Sequence, residues 1–256
     1  MRIARAMVEG RPVWGEVDLR GSIFKPLSGD IFAGAAASEL AEMPLGSLRL
    51  LPPTEPTKIV AVGRNYADHA AELSLSVGAR PRIFLKAPSA LVAAGEAIVC
   101  PPQSEEVHYE AELAVVIGKR CRHAAPADAL SYVFGYTCAN DVTARDIQRA
   151  EGLPVYAKAF DTFCPMGPWI ETELDASDVR ISCTVNGVVR QDARTSEMLC
   201  AVDELIAYVS AAMTLLPGDV LLTGTPAGVG CLVPGDEVAV MIEGLGSLVN
   251  PVVAAG

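Results

Sequence analysis

The stretch VHYEAELAVVI, residues 107–117, decides how this chain is built. Its second half, LAVVI, is apolar at every position, which marks a strand covered on both faces and placed inside the structure. Its first half carries Glu110 and Glu112 in alternation with apolar residues. Side chains alternate along a strand, so His108, Glu110 and Glu112 are expected on one face and Tyr109, Ala111 and Leu113 on the other. Alternating acids ordinarily mark a wet outer face, the commoner reading. The apolar continuation argues against it here. With Cα atoms roughly 6–7 Å apart, two such buried carboxylates repel one another and lose hydration unless a cation sits between them.

A third acid lies downstream. YTCANDVTARDIQRA (136–150) changes from strand-like to helix-like spacing at Asn140-Asp141. Asp141 reads first as a helix N-cap, a role aspartate fills well, and second as a ligand at a strand end, where functional groups gather. An all-oxygen trio of Glu110, Glu112 and Asp141 suits Mg²⁺ or Mn²⁺. Zinc prefers Cys or His, and His69, His108 and His123 show no ligand spacing.

Upstream, GRNYADHAAE (63–72) places His69 and Glu72 three apart, on one face of a helix. That pair is either an ordinary surface contact or a general base with its orienting acid. The following LSLSVGARP (73–81) carries no strong structural signal, as expected of a segment flanking a lid. TGTPAGVG (223–230) is no phosphate loop, because the Gly-Lys-Ser/Thr that should follow is missing. It reads as a tight loop presenting Thr225 and backbone amides. Lys158, before a proline-rich loop, reads as a surface charge unless its neighbourhood promotes it.

The whole chain has 256 residues, 51% hydrophobic and 20% charged, enough for a substantial core and unlike a disordered protein. A net charge of −11 excludes a non-specific binder of nucleic acid or of anionic membranes. It leaves room for a small anionic ligand in a local basic pocket. The start lacks the apolar run of a signal peptide, and AYVSAAMTLLPGDVLL (207–222) is broken as a membrane span by Pro217, Gly218 and Asp219. Seven scattered cysteines without a CxxC pair fit reduced thiols in a cytoplasmic protein, most serving as small buried hydrophobes.

Residues 1–50 read as a small β-rich N-terminal region, with two strands meeting at Glu9-Gly10, and LPPTEPTK (51–58) reads as a linker. Strands then dominate, with a hairpin signal at Asn186-Gly187 and helical spacing in YADHAAEL, PADALSYV, DVTARDIQRA and AVDELIAYVSAAMTLL. The pattern is β-rich α+β, without the regular alternation of a doubly wound sheet.

Five motifs occur in order: GRNYADHAAE, HYEAELAVVIG, NDVTARDIQ, KAFDTFCPMGP and TGTPAGVG, followed by PGDEVAVMIEGLGSLVNPV. Together they resemble the fumarylacetoacetate hydrolase superfamily, with a catalytic domain over residues 57–253. The likeness is to the shorter branch of 2-hydroxyhepta-2,4-diene-1,7-dioate isomerases and related decarboxylases of aromatic breakdown. The resemblance implies a mixed β-sandwich roll and a homodimer. It implies Mg²⁺ or Mn²⁺ on Glu110, Glu112 and Asp141, His69 and Glu72 as the acid/base pair, and Lys158 near the metal. Thr225 is implied as a contact to a substrate carboxylate, and Arg64, Arg145 and Gln148 as lining the substrate pocket. The expected function is isomerisation or decarboxylation of an unsaturated 2-keto dicarboxylic acid. Acylpyruvate hydrolysis and oxaloacetate decarboxylation are the alternatives on the same site, and an interaction-only scaffold is the rival outside the enzymes.

Overall fold

In the computed structural model, which describes residues 1–72 and 80–256, strands are organised in three sheets. The largest has thirteen strands. At its heart lies Ala111–Ile117, buried at every residue, between Val133–Asn140 and Val220–Leu222. Both neighbours are antiparallel to it, and Val220–Leu222 then pairs in parallel with Ile59–Gly63. The doubly apolar LAVVI thus occupies the central position its composition requires.

The strand expected over 107–117 is instead broken at Glu110. Val107–Tyr109 belongs to a separate three-stranded sheet, between Thr143–Ala144 and Gly230–Leu232. The physical reason is local. The amide of Glu110 donates to Asn140 Oδ1 at 2.9 Å and that of Ala111 to Gln191 Oε1 at 2.9 Å, so side chains replace the ladder for two residues. A five-stranded sheet completes the roll, running Ile98–Cys100, Gly246–Ala254, Glu237–Ile242, Arg180–Val185 and Val188–Arg194. A continuous apolar core fills the space between these layers. This is the strand-rich α+β fold expected from the sequence.

Both hairpin signals form turns. Glu9-Gly10 and Asn186-Gly187 have positive φ at both central residues (49° and 78°, 51° and 75°), which suits the twist of the flanking strands. Helical spacing gives Ala67–Glu72, Pro126–Ala129, Arg145–Glu151 and Val202–Ala212. Two elements escape the pattern. Pro154–Lys158 is a short helix started by its proline, and Cys164–Glu171 is a strand despite Pro165 and Pro168, with a cis bond at Gly167-Pro168.

The N-terminal strand Arg2–Val8 pairs with Cys164–Glu171, so the opening β-rich region continues the large sheet, with its own small core of Ala4, Ala6, Val8, Val17 and Phe24. The segment expected as a linker is pinned down. Thr54 Oγ1 donates to Gly218 O at 2.8 Å, and Asp219, fully buried, accepts from the amides of Thr57 (3.0 Å), Lys58 (3.1 Å) and Leu216 (2.7 Å), with the Lys58 ammonium beside it. No helix among the described residues is long and apolar enough to cross a membrane.

Asp219 therefore anchors the start of the Ile59–Gly63 strand, which leads into the His69 helix. Replacing it by alanine strands buried donors and is expected to cost about 3 kcal/mol or more in urea denaturation. A loss under about 1 kcal/mol would show that this anchor does not hold the fold.

Candidate active site

The break at Glu110 turns its side chain inward beside that of Glu112, and the end of Val133–Asn140 delivers Asp141 to the same point. All three are buried, with carboxylate oxygens within 4.8 Å of one another. Asp141 is not a cap, since the following helix begins four residues later with Ala144 at its N-cap. The ammonium of Lys158, at the end of its short helix, bridges Glu110 Oε2 (2.7 Å) and Asp141 Oδ2 (2.6 Å). Lys86 Nζ donates to Asp141 Oδ1 at 2.6 Å, and Arg145 Nη2 pairs with Glu110 while its Nη1 donates to Gln148 Oε1 at 2.5 Å. Among the described residues no cation pairs with Glu112, whose Oε2 accepts from the Gly224 amide at 2.8 Å.

These partners separate the acids. Burial works to raise the Glu110 carboxyl, but Lys158 and Arg145 more than offset it and hold the group well below the usual carboxylate range. Glu112 is pushed well above that range by burial and by the charges of Asp141 and Glu110. Burial alone would lower the Lys158 ammonium, yet Asp141 and Glu110 leave it above its ordinary value. The donor set fits a hard divalent ion: three carboxylates, oxygen only, converging where an ammonium already bridges two of them. Glu110, Glu112 and Asp141 would hold such an ion, which would supply opposite charge beside Glu112.

A cavity of about 540 Å³ opens on this cluster. His69, Arg64, Arg145, Gln148, Lys158, Thr225 and the three acids all line it. Glu72 stands behind, its Oε2 3.3 Å from His69 Nδ1, and it accepts from the Gly228 amide at 3.1 Å. Thr225 Oγ1 accepts from Gln191 Nε2 at 2.8 Å, which leaves its hydroxyl hydrogen free for another acceptor. Arg64 takes a left-handed backbone, φ 62°, an uncommon conformation for a residue with a side chain. The loop 223–230 works through its glycines. Gly224 and Gly228 have φ of 96° and 100°, and a Cβ would meet Asn65 Cβ at 2.8 Å in one and Arg190 O at 2.1 Å in the other. Their amides are the ones that hold Glu112 and Glu72.

The structure brings together the candidate site residues, but His108, expected on one face with Glu110 and Glu112, does not line the cavity, and residues 73–79 of the expected lid flank 73–81 lie outside the described residues. Sequence reasoning missed Lys86 and Gln191. Lys86 closes a strand as a lone lysine, and Gln191 sits on the edge strand Val188–Arg194. Neither carries a local signal, because its partners are distant in sequence.

Comparison with known proteins identifies the family. The family described as fumarylacetoacetate (FAA) hydrolase C-terminal matches residues 58–253, and one described as Rv2993c-like, N-terminal matches residues 1–53. The structure of a 5-carboxymethyl-2-hydroxymuconate delta-isomerase from Mycobacterium smegmatis superposes with a TM-score of 0.93 at 42% identity, covering 100% of each chain. That of a 2-hydroxyhepta-2,4-diene-1,7-dioate isomerase from Mycobacterium marinum has a TM-score of 0.93 at 41% identity, covering 100% of this chain and 99% of that one. The mitochondrial oxaloacetate tautomerase Fahd2a of Rattus norvegicus is 45% identical over 86% of this chain and 74% of its own length. The chain belongs to the fumarylacetoacetate hydrolase family, and it is an enzyme.

Because Glu112 is raised in the folded chain, it favours folding at low pH and costs stability as pH climbs through its raised value. The lowered Glu110 acts in the opposite window, adding stability above the ordinary carboxylate range and losing it in acid. Without divalent ions, Tm should therefore fall between about pH 5 and about pH 8, and Mg²⁺ should restore more of it at the higher pH. In Glu112→Gln both effects should shrink. An Mg²⁺ effect on Tm that is unchanged in that variant would place the ion elsewhere.

Proposed function

We propose that this enzyme is a divalent-ion-dependent isomerase of an unsaturated 2-keto dicarboxylic acid, moving a proton between keto and enol forms, with decarboxylation as the further outcome on substrates carrying a labile carboxylate. The observation that carries this reading is the His69–Glu72 pair set on the same cavity as the Glu110–Glu112–Asp141 trio. Two isomerases alike in structure over the full chain support the substrate class.

Mg²⁺ or Mn²⁺ on the three carboxylates would supply an electrophile that stabilises enolate charge. The remaining work falls to the chain. Glu72 engages His69 Nδ1, which orients the ring and leaves Nε2 to take a proton from, or return it to, the substrate carbon. Thr225, its oxygen already occupied by Gln191, donates its hydroxyl hydrogen to the substrate carboxylate. Arg64, Arg82 and Arg149 line the same cavity and offer positive charge to a second carboxylate, in a chain whose net charge is −11. A proton carrier on a mobile hydrogen is what an interaction-only scaffold would not need. A homodimer belongs to the same reading.

A second reading is favoured by the rat relative: keto–enol interconversion of oxaloacetate, a shorter substrate for the same proton transfer. The test is a panel of 2-hydroxyhepta-2,4-diene-1,7-dioate, oxaloacetate, acetylpyruvate and fumarylpyruvate, with Mg²⁺ or Mn²⁺ restored to stripped protein. Ion-dependent turnover of the dienoate is expected. Turnover confined to oxaloacetate would move the function to the second reading, and turnover confined to the acylpyruvates would contradict both. His69→Asn should lower kcat by about 10²–10⁴-fold while leaving ion binding intact. Glu110→Ala should abolish ion binding and activity together, and full activity in it would contradict the site.

A further inference from the structure

A second convergence of donor atoms lies outside the cavity's carboxylate trio. Val107–Tyr109 and Gly230–Leu232 run antiparallel with His108 directly opposite Cys231, so their side chains stand on one face. Glu106, two residues before His108, joins them there. His108 Nε2 lies 3.0 Å from Glu106 Oε1 and 3.4 Å from Cys231 Sγ, and the three donor atoms all fall within 4.8 Å of one another.

Two functions could use a Cys, a His and a Glu. A nucleophilic relay needs the thiol on one ring nitrogen and the acid on the other. Here one nitrogen, Nε2, faces both, while Nδ1 faces Arg145 Nε at 3.5 Å. That is no relay. It is a convergence of three ligand atoms on a common point, and metal binding at Nε2 would move the ring hydrogen to Nδ1 and turn aside Arg145 Nε, which donates to Nδ1 here. A tetrahedral zinc ion keeps its N, O and S donors about 3.3–3.6 Å apart, against 3.0 and 3.4 Å here from Nε2 to Glu106 and Cys231.

We propose that Glu106, His108 and Cys231 form a second metal site, for a borderline-soft divalent ion such as Zn²⁺. The sulfur and imidazole donors select against the hard ions suited to the oxygen-only trio. Three protein ligands leave one coordination position for water or a small anion. Cys231 is exposed, so the ion has access, and its thiol releases a proton to solvent on binding. Arg149 competes for the site, since both of its terminal nitrogens contact the Glu106 carboxylate, one of them at 3.1 Å. It is exposed and can swing away at little cost. The site adjoins the cavity through two side chains: Arg145 faces His108 and also pairs with Glu110, and Arg149, which lines the cavity, contacts Glu106. The inference does not rest on the proposed reaction, and its test requires no turnover.

The probe is Co²⁺, titrated into Mg²⁺-loaded protein and followed by the thiolate-to-cobalt charge-transfer absorption. The carboxylate trio holds no sulfur, so cobalt there gives no such band. The wild-type protein should show it at one equivalent, and Zn²⁺ should bleach it by displacement. Cys231→Ser, a surface change, should lose the band, and Arg149→Ala should tighten Zn²⁺ binding severalfold by removing the competitor. Absence of the band in the wild type, or its survival in Cys231→Ser, would overturn the site. Weaker Zn²⁺ binding in Arg149→Ala would contradict the geometry assigned to Glu106.

Discussion

Six buried ionisable groups meet at one point in this molecule: Glu110, Glu112 and Asp141 with Lys86, Lys158 and Arg145. Removing such groups from water is expensive, and only close opposite partners make it tolerable. The cluster therefore constrains every element that contributes to it. Arg82–Lys86 must end there, Pro154–Lys158 must stop there, Arg145–Glu151 must begin there, and the strand through Glu110 must break. Within the six, Glu112 is the unbalanced member, raised by its acidic neighbours and served by one backbone amide. A divalent ion held by the three carboxylates would supply opposite charge beside Glu112.

The support around the cluster is largely backbone. Two glycines in the loop 223–230 reach conformations and approaches closed to other residues, and their amides fix one acid of the trio and the acid behind His69. Gln191 ties the same loop to the broken strand, donating to Thr225 and Pro226 and accepting from Ala111. The groups around the cavity are thus positioned from the ends of the strands and the loops between them. Such placement keeps a small reacting region precise to fractions of an ångström.

How much of this was legible in the sequence follows from the range of each interaction. The central strand was visible because LAVVI carries its own evidence of double burial, and the hairpins because Asn186-Gly187 and Glu9-Gly10 hold their turn chemistry locally. His69 and Glu72 were visible as a pair on one helical turn. The break at Glu110 was not, since it depends on Asn140 and Gln191, and Asp141 looked like a cap until its lysine partners were in place. Lys86, Gln191 and the His108–Cys231 pairing are invisible for the same reason. Their partners lie from 34 to 123 residues away, and no local pattern encodes them. Cys164–Glu171 was hidden by prolines that normally argue against a strand.

Glu110, Glu112 and Asp141 together would hold one hard divalent ion. The most direct measurement is a crystal structure of the protein with Mn²⁺, located by its anomalous scattering. A single strong peak within coordination distance of all three carboxylates is expected. A peak elsewhere, or no peak, would contradict the site.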